Sequence, residues 1–123
     1  MQNDKVKFKK DFKKRLYSFT LKLIEFLDKL PQDNVLRRLG DQLLRSGTSI
    51  ITNYIEGQAA SSRKDFTKYF NISLKSANES KLWLTLLRDS KRAKPKDIEW
   101  FLKEVDEISN IFGSSILTLK GKR

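Results

Sequence analysis

Residues 12–30 read FKKRLYSFTLKLIEFLDKL, and the spacing of their large apolar side chains decides the fold. These side chains alternate steps of four and three residues, which places them on one stripe of an α-helix with about 3.6 residues per turn. The pattern ends at Pro31, because a proline disfavours helical backbone in the residue before it. The stretch predicts a first helix whose buried face consists of Phe12, Leu16, Phe19, Leu23, Phe26 and Leu30.

The same helical periodicity recurs three more times along the chain, and no strand-like alternation competes with it. Asp33 or Asn34 can cap the second helix, and Ser61 or Ser62 can cap the third. Pro95 suits the start of the fourth helix. We therefore predict one all-α domain over residues 1–123, an antiparallel up-down-up-down four-helix bundle. Its predicted helices span approximately residues 5–30, 33–56, 62–90 and 96–120.

The predicted core of the three later helices follows from the same steps of four and three. Gly57 is expected to mark the end of the second helix. A set of small residues is expected to let two helix backbones approach closely, and a ligand pocket between the helices is the less favoured alternative. These residues are Ser46, Gly47, Ser73, Ala77 and Ser80. The predicted core positions are Leu36, Leu39, Leu43, Ile50, Tyr54, Phe66, Phe70, Ser73, Ala77, Ser80, Leu84, Leu87, Ile98, Phe101, Val105, Ile108, Phe112 and Leu119.

Several helices carry more apolar surface than one buried stripe needs. The surplus either widens the core or forms an interface with another protein, and extra aromatic residues on a soluble domain often mark such interfaces. Trp83 and Trp100 are the candidate interface residues, and we expect the chain to form a homo-oligomer. The number of copies cannot be derived from this pattern.

The composition argues against an enzyme. The chain contains no His and no Cys, which excludes imidazole acid–base catalysis, thiol nucleophiles and the usual zinc sites. Asn53 and Glu56 lie one helical turn apart, but a lone carboxylate without a second acid or base is poor material for catalysis. We expect no catalytic residues, no metal site and no cofactor.

The N-terminal residues are basic but are not followed by an uninterrupted apolar segment. Lys22, Glu25, Asp28 and Lys29 interrupt the first apolar helix, so it is neither a signal peptide nor a membrane span. We expect a soluble cytoplasmic protein that does not use the membrane as a partner.

The net charge of +11 is distributed unevenly along the chain. In the predicted bundle, the start of helix 1, the turn between helices 2 and 3 and the end of helix 4 meet at one end, which we call the basic end. Its basic residues are Lys5, Lys7, Lys9, Lys10, Lys13, Lys14, Arg15, Arg63, Lys64, Lys68, Lys120, Lys122 and Arg123. A smaller basic cluster, Arg88, Lys91, Arg92 and Lys94, lies at the opposite end.

Gathered cations repel one another unless they face a polyanion, so nucleic acid is the favoured partner. The alternatives are a basic surface that serves solubility and, less favoured, an anionic membrane, because the apolar face of helix 1 is needed for the core. Lys exceeds Arg in the cluster, which favours phosphate contacts over reading of base edges. The candidate nucleic-acid-binding residues are Lys9, Lys10, Lys13, Lys14, Arg63, Lys64 and Lys68.

Residues 45–84 read RSGTSIITNYIEGQAASSRKDFTKYFNISLKSANESKLWL. This stretch resembles the four helix bundle protein family, which includes proteins encoded in intervening sequences of bacterial 23S rRNA genes. The shared pattern is R-x-x-x-S-I-x-x-N-x-x-E-G followed by a small-residue basic turn, an aromatic residue and a later S-x-x-E. The matching residues to which we assign structural roles are Arg45, Ser49, Asn53, Glu56, Gly57, Phe66 and Glu79.

The resemblance extends to a more distant relative, the accessory variability determinant of diversity-generating retroelements. It implies a homopentamer with nucleic acid, RNA or DNA, as a partner and without enzymatic activity. It also implies an alternative function, an accessory adaptor that binds a reverse transcriptase. Which nucleic acid binds, whether binding is sequence-specific and which partner dominates all stay open at this point.

Overall fold

The structure is a computed structural model that describes residues 3–121. It consists of four helices of similar length joined by short connections. They are α1 (Asp4–Asp28), α2 (Asn34–Gln58), α3 (Arg63–Asp89) and α4 (Pro95–Leu119). The all-α class predicted from the sequence is confirmed over the part of the chain that the structure describes.

The helices pair in chain order around a common core. The backbones of α2 and α3 approach each other most closely, followed by those of α3 and α4 and of α1 and α2. The backbones of α1 and α4 are farther apart, and these helices meet through large side chains, as in the contacts of Phe12 with Phe112 and of Phe19 with Phe101. Within residues 3–121, no Cα atom of α1 lies within 8 Å of one in α3, and none of α2 lies within 8 Å of one in α4, so these pairs lie on the diagonals of the bundle. This pairing confirms the antiparallel up-down-up-down prediction.

The helix ends follow the capping rules that predicted them. Asp33 accepts a hydrogen bond from the backbone N–H of Leu36, and Ser62 accepts one from Asp65. Pro95 is the first residue of α4, where its missing N–H costs nothing. The first helix ends at Asp28, two residues before the predicted Leu30.

Gly57 has a different role from the one predicted. It lies inside the last turn of α2, which continues to Gln58, and its φ is not positive. A Cβ at this position would lie 3.1 Å from Cδ1 of Phe70 and 3.2 Å from Cβ of Tyr69. The glycine therefore admits the side chains of α3 rather than ending the helix.

The core contains aromatic clusters at both ends, with Phe12, Tyr54, Phe70 and Phe112 at the basic end and Phe19, Phe26 and Phe101 toward the other end. Almost all predicted core positions are buried, while Phe26, Leu30, Leu39 and Phe66 are partly buried against them. At the end of α4 the prediction was wrong by one helical turn, because Ile116 is buried and Leu119 is only partly so.

Serine hydroxyls line the contact between α2 and α3. The Oγ atoms of Ser46 and Ser80 lie 2.8 Å apart, and Ser73 Oγ donates to the carbonyl oxygen of Ile50 at 2.9 Å. Both contacts are buried, and Ala77 lies between the two serines of α3 with no exposed surface. Small side chains with local hydrogen-bond partners explain why this is the closest helix pair.

None of the helices described here is both long enough and apolar enough to span a lipid bilayer.

Candidate nucleic-acid interface

Four lysines on the first half of α1 form the most concentrated cationic surface. We call Lys9, Lys10, Lys13 and Lys14 the α1 lysines; all four are exposed. At about 100° per residue, they cover an arc of about 140° on the side of α1 that faces away from the core. None of them forms an ion pair with any residue from 3 to 121. Their charge is therefore available to an external anion.

The other predicted binding residues lie on a different side of the molecule. Lys64 and Lys68 are exposed near the start of α3, and the ammonium of Lys68 lies 5.4 Å from the ring centre of Tyr69. Lys64 and Lys68 lie at the same end of the bundle as the α1 lysines. Because α1 and α3 lie diagonally across the bundle, the two groups of lysines face different sides of the molecule. The expected single cluster is thus two surfaces.

The side chain of Arg63 forms a hydrogen bond within the protein. Its guanidinium donates a hydrogen bond of 2.6 Å to the carbonyl oxygen of Leu119, in the last turn of α4. A cation at this position satisfies a terminal carbonyl and complements the negative end of the helix dipole. Arg63 thus ties the start of α3 to the end of α4.

Arg15 is also removed from the basic surface by a tertiary contact. Its guanidinium holds Glu104 through two hydrogen bonds of 2.9 and 2.7 Å and Glu107 through one of 2.9 Å. The hydrogen bond to Glu104 is the main cause that raises the pKa of Arg15, partial burial opposes it, and the charges of both glutamates add to the increase. Glu104 and Glu107 thus attach α4 to α1, while the neighbouring Asp106 pairs with Lys81 of α3.

The smaller basic cluster lies on the loop between α3 and α4. Lys91, Arg92 and Lys94 are exposed, whereas Arg88 is paired with the adjacent Asp89. Lys122 and Arg123, which were assigned to the basic end, lie outside the described residues.

The sequence motif forms a polar network along the α2–α3 contact. Arg45 pairs with Glu79, which also accepts a 3.0 Å hydrogen bond from the indole N–H of Trp83. One turn further, Ser49 Oγ accepts hydrogen bonds from Asn53 at 2.9 Å and from Ser76 at 2.8 Å. These contacts join the two helices and leave Glu56 exposed at the end of the row.

Residues 9–114 of this sequence match the family described as 23S rRNA-intervening sequence protein. The chain belongs to this family. A crystal structure of a protein of unknown function, assigned to the S23 ribosomal protein family and from Bacteroides thetaiotaomicron, has a similar fold. The two chains are 31% identical with a TM-score of 0.82, over 88% of this chain and 96% of the other. A search of the curated proteins found no match.

The two tryptophans have different surroundings. Trp83 is partly buried and packs against the core, besides its hydrogen bond to Glu79. Trp100 is 40% exposed; its ring stacks on Phe19 at 6.3 Å and lies 4.4 Å from the ammonium of Lys22. Of the two candidate interface residues, Trp100 therefore offers the larger free surface.

Acidic residues provide no metal centre in the described part of this family member. Within residues 3–121 no group of three or more Asp or Glu side chains is arranged to hold a metal ion.

Sequence analysis missed Phe8, an aromatic residue at the basic end. Its ring is 54% exposed and stacks on Phe12 with 5.9 Å between ring centres. The signal was its position four residues before Phe12, which extends the apolar stripe by one turn into the lysine-rich segment.

Proposed function

We propose that this protein is a non-enzymatic, homo-oligomeric scaffold that binds nucleic acid, RNA in particular, through phosphate contacts of the α1 lysines. The observation that carries the proposal is the exposure of four lysines within residues 9–14, none of them in an ion pair with residues 3–121. Neutralising such a cluster on phosphates releases counterions, which favours binding.

The expected contacts are to the nucleic-acid backbone. A lysine ammonium is a point charge without the flat, forked geometry with which arginine reads guanine edges. Three arginines that could have contributed base contacts, Arg15, Arg45 and Arg63, are held by Glu104, Glu79 and Leu119. RNA is preferred over DNA in the proposal because the family name links these proteins to 23S rRNA.

Self-association is part of the proposal. The family resemblance implies a pentamer, and we propose the same number of copies here, with Trp100 in the contact between them. Several copies of a chain with a net charge of +11 would add weak phosphate contacts through multivalency. The proposal places this assembly in the cytoplasm, where ribosomal RNA is found.

The test compares two variants with equal charge but different location. One changes the α1 lysines to Glu, and the other changes Lys91, Lys94, Lys96 and Lys103, all of them exposed. Each lowers the formal net charge from +11 to +3, because four Lys→Glu substitutions remove two charges each. We expect the α1 variant to lose RNA affinity at least about tenfold more than its control, with helicity intact in both.

A salt titration adds a second readout to the same comparison. Each lost phosphate contact lowers the dependence of log affinity on log salt by about 0.7 to 0.9, so the slope for the α1 variant should be about 3 shallower. Equal losses of affinity in the two variants would show attraction by net charge alone and would remove the α1 lysines from the proposal.

A second candidate function is the accessory adaptor that binds a reverse transcriptase. It is favoured by an exposed apolar row on α1, where Tyr17, Leu21 and Ile24 are 43–59% exposed, and by Leu44 and Ile55 on α2. Surfaces of this kind suit a protein partner. A reverse transcriptase captured by the purified protein after nuclease treatment would favour the adaptor, and capture that nuclease abolishes would favour direct RNA binding.

A further inference from the structure

All four helices contribute to an open cleft of about 470 Å³ at the basic end. It lies where the first residues of α1 and α3 meet the last residues of α2 and α4. Its volume falls within the range of about 300–1,000 Å³ that is typical of small-molecule sites. We call it the aromatic cleft.

Five aromatic rings form a continuous path across the aromatic cleft. Phe8 stacks on Phe12, and Phe12 meets the edge of Tyr54 at 5.2 Å between ring centres. Tyr54 is 5.6 Å from Phe70, which is 4.2 Å from Phe66. Phe12, Tyr54 and Phe70 are buried, whereas Phe8 is exposed and Phe66 is partly exposed. Phe8 and Phe66 therefore offer ring surface to a molecule that enters.

The rim of the aromatic cleft is charged. Lys5 and Lys9 line it from α1, and both are exposed without an ion pair to any residue from 3 to 121. Asp4 is the one carboxylate among the lining residues. The α1 lysines continue from Lys9 along the outer face of the same helix. An apolar aromatic interior with a cationic rim is complementary to a flat, uncharged ring attached to an anionic backbone.

We propose that the aromatic cleft accepts an unstacked base of single-stranded RNA, with Phe8 as its stacking surface and Lys5 and Lys9 on the adjacent phosphates. This inference rests on the proposed RNA binding and adds to it a preference for single strands. Stacking on aromatic side chains tolerates any base, so the site requires no sequence specificity. A duplex cannot present a base to the cleft, because its bases are paired and stacked on one another.

Lysine contacts alone would not produce a preference for single-stranded RNA over double-stranded RNA. The counterion-release term per phosphate contact is larger for a double helix, so purely electrostatic binding favours the duplex. Base entry into the aromatic cleft reverses this order. We therefore expect the wild-type protein to bind a short fluorescein-labelled single-stranded RNA more tightly than the duplex formed from the same strand.

Phe8 is the residue to change, because its exposure makes the fold insensitive to it. Phe8→Ala should lower affinity for the single-stranded RNA between about 5-fold and 150-fold, the range for losing one stacking partner, with duplex affinity unchanged. Phe8→Tyr keeps the stacking surface and should retain the single-strand affinity. Ser115→Leu places a larger side chain among the lining residues and should lower single-strand affinity without removing a ring.

The matched control is Tyr17→Ala. Tyr17 is an exposed aromatic residue on the same helix, nine positions from Phe8 and thus about 180° around the helix axis. It should leave the ratio of single-strand to duplex affinity unchanged.

The outcomes separate this inference from the proposed function. If Phe8→Ala changes neither affinity while substitution of the α1 lysines lowers both, base entry is refuted and backbone binding stands. If the wild-type protein binds neither RNA, both are refuted. If Phe8→Ala instead changes the molar mass measured by light scattering, the aromatic cleft is a contact between copies of the chain, which also overturns base entry.

Discussion

Gly47 shows how a single missing methyl group sets the distance between two helices. It lies in the middle of α2, where a Cβ would collide with the Cδ2 atom of Leu23 on α1. Leu23 has no exposed surface, so a shift of its Cδ2 methyl group would have to be accommodated among the surrounding core side chains. Gly40, two turns earlier on α2, differs because a Cβ there would lie 3.6 Å from Leu27, an ordinary contact distance.

Alanine substitutions at these two glycines should therefore have opposite effects on stability. Replacing a helical glycine by alanine favours the helix by about 1 kcal/mol. Gly40→Ala should gain most of this, whereas Gly47→Ala should lose about 1 kcal/mol overall, because overpacking costs about 1–3 kcal/mol. Urea unfolding monitored by circular dichroism measures both. Stabilisation by both substitutions would mean that Leu23 moves freely.

Tyr54 gives the protein a specific weakness at alkaline pH. Burial raises the pKa of its hydroxyl above the usual 10.0, and the side chain of Gln58 opposes this increase. The native state therefore holds this proton more tightly than the unfolded chain. Below about pH 10 the hydroxyl of Tyr54 is neutral in both states, and its full contribution to the free energy of unfolding is present. This contribution is lost as the pH rises through the raised pKa of Tyr54 in the folded protein.

The free energy of unfolding should consequently fall more steeply between about pH 9 and pH 11 in the wild type than in Tyr54→Phe. The variant is the necessary reference because lysines titrate over the same range in both proteins. Parallel curves for the two proteins would show that Tyr54 does not contribute to the alkaline loss.

Among the helices, α1 depends most on a few side chains for its attachment to the rest of the bundle. Its backbone lies farther from that of α4 than the other paired helices lie from each other, so α1 and α4 are joined through long side chains. Arg15 reaches Glu104 and Glu107, and Lys22 reaches Trp100. Glu104 is only 14% exposed, so it depends on Arg15 to compensate its loss of hydration.

Arg15→Gln should destabilise the protein by about 1–2 kcal/mol, because a charged hydrogen-bonding group loses its partner in a partly buried place. Amide hydrogens of α1 should also exchange faster relative to those of α3. Arg88→Gln is the control, since the exposed pair with Asp89 within one helix should contribute nothing measurable. If the two variants are equally stable, the Arg15 contact does not hold α1 in place.

The helices were predictable from the sequence because their signals are local. Apolar spacing, a capping side chain such as Asp33 and the position of Pro95 act within a few residues. The partners of Arg15 and Arg63 were not predictable, since each depends on how α4 is rotated beside another helix. The sequence placed the lysines of α1 and α3 at one end, but only their diagonal arrangement shows that they face different sides.

The whole molecule combines a high positive charge with exposed apolar surface. We expect the protein to form a homo-oligomer in solution, and the family resemblance implies a pentamer. Trp100→Ala should shift this oligomer toward smaller species, because Trp100 is 40% exposed and is the proposed contact between copies. Trp83→Ala should mainly reduce stability, since Trp83 packs within its own chain. Light scattering and thermal unfolding distinguish the two effects. A monomeric wild type would contradict the predicted assembly.

The most direct test of the central claim is a lysine acetylation footprint, read by mass spectrometry with and without single-stranded RNA. The account predicts that RNA slows acetylation of Lys9, Lys10, Lys13 and Lys14, while exposed Lys75 and Lys103, outside the proposed surface, react as before. Protection concentrated on Lys91, Lys94 and Lys96 instead, or the same small decrease at every lysine, would contradict it.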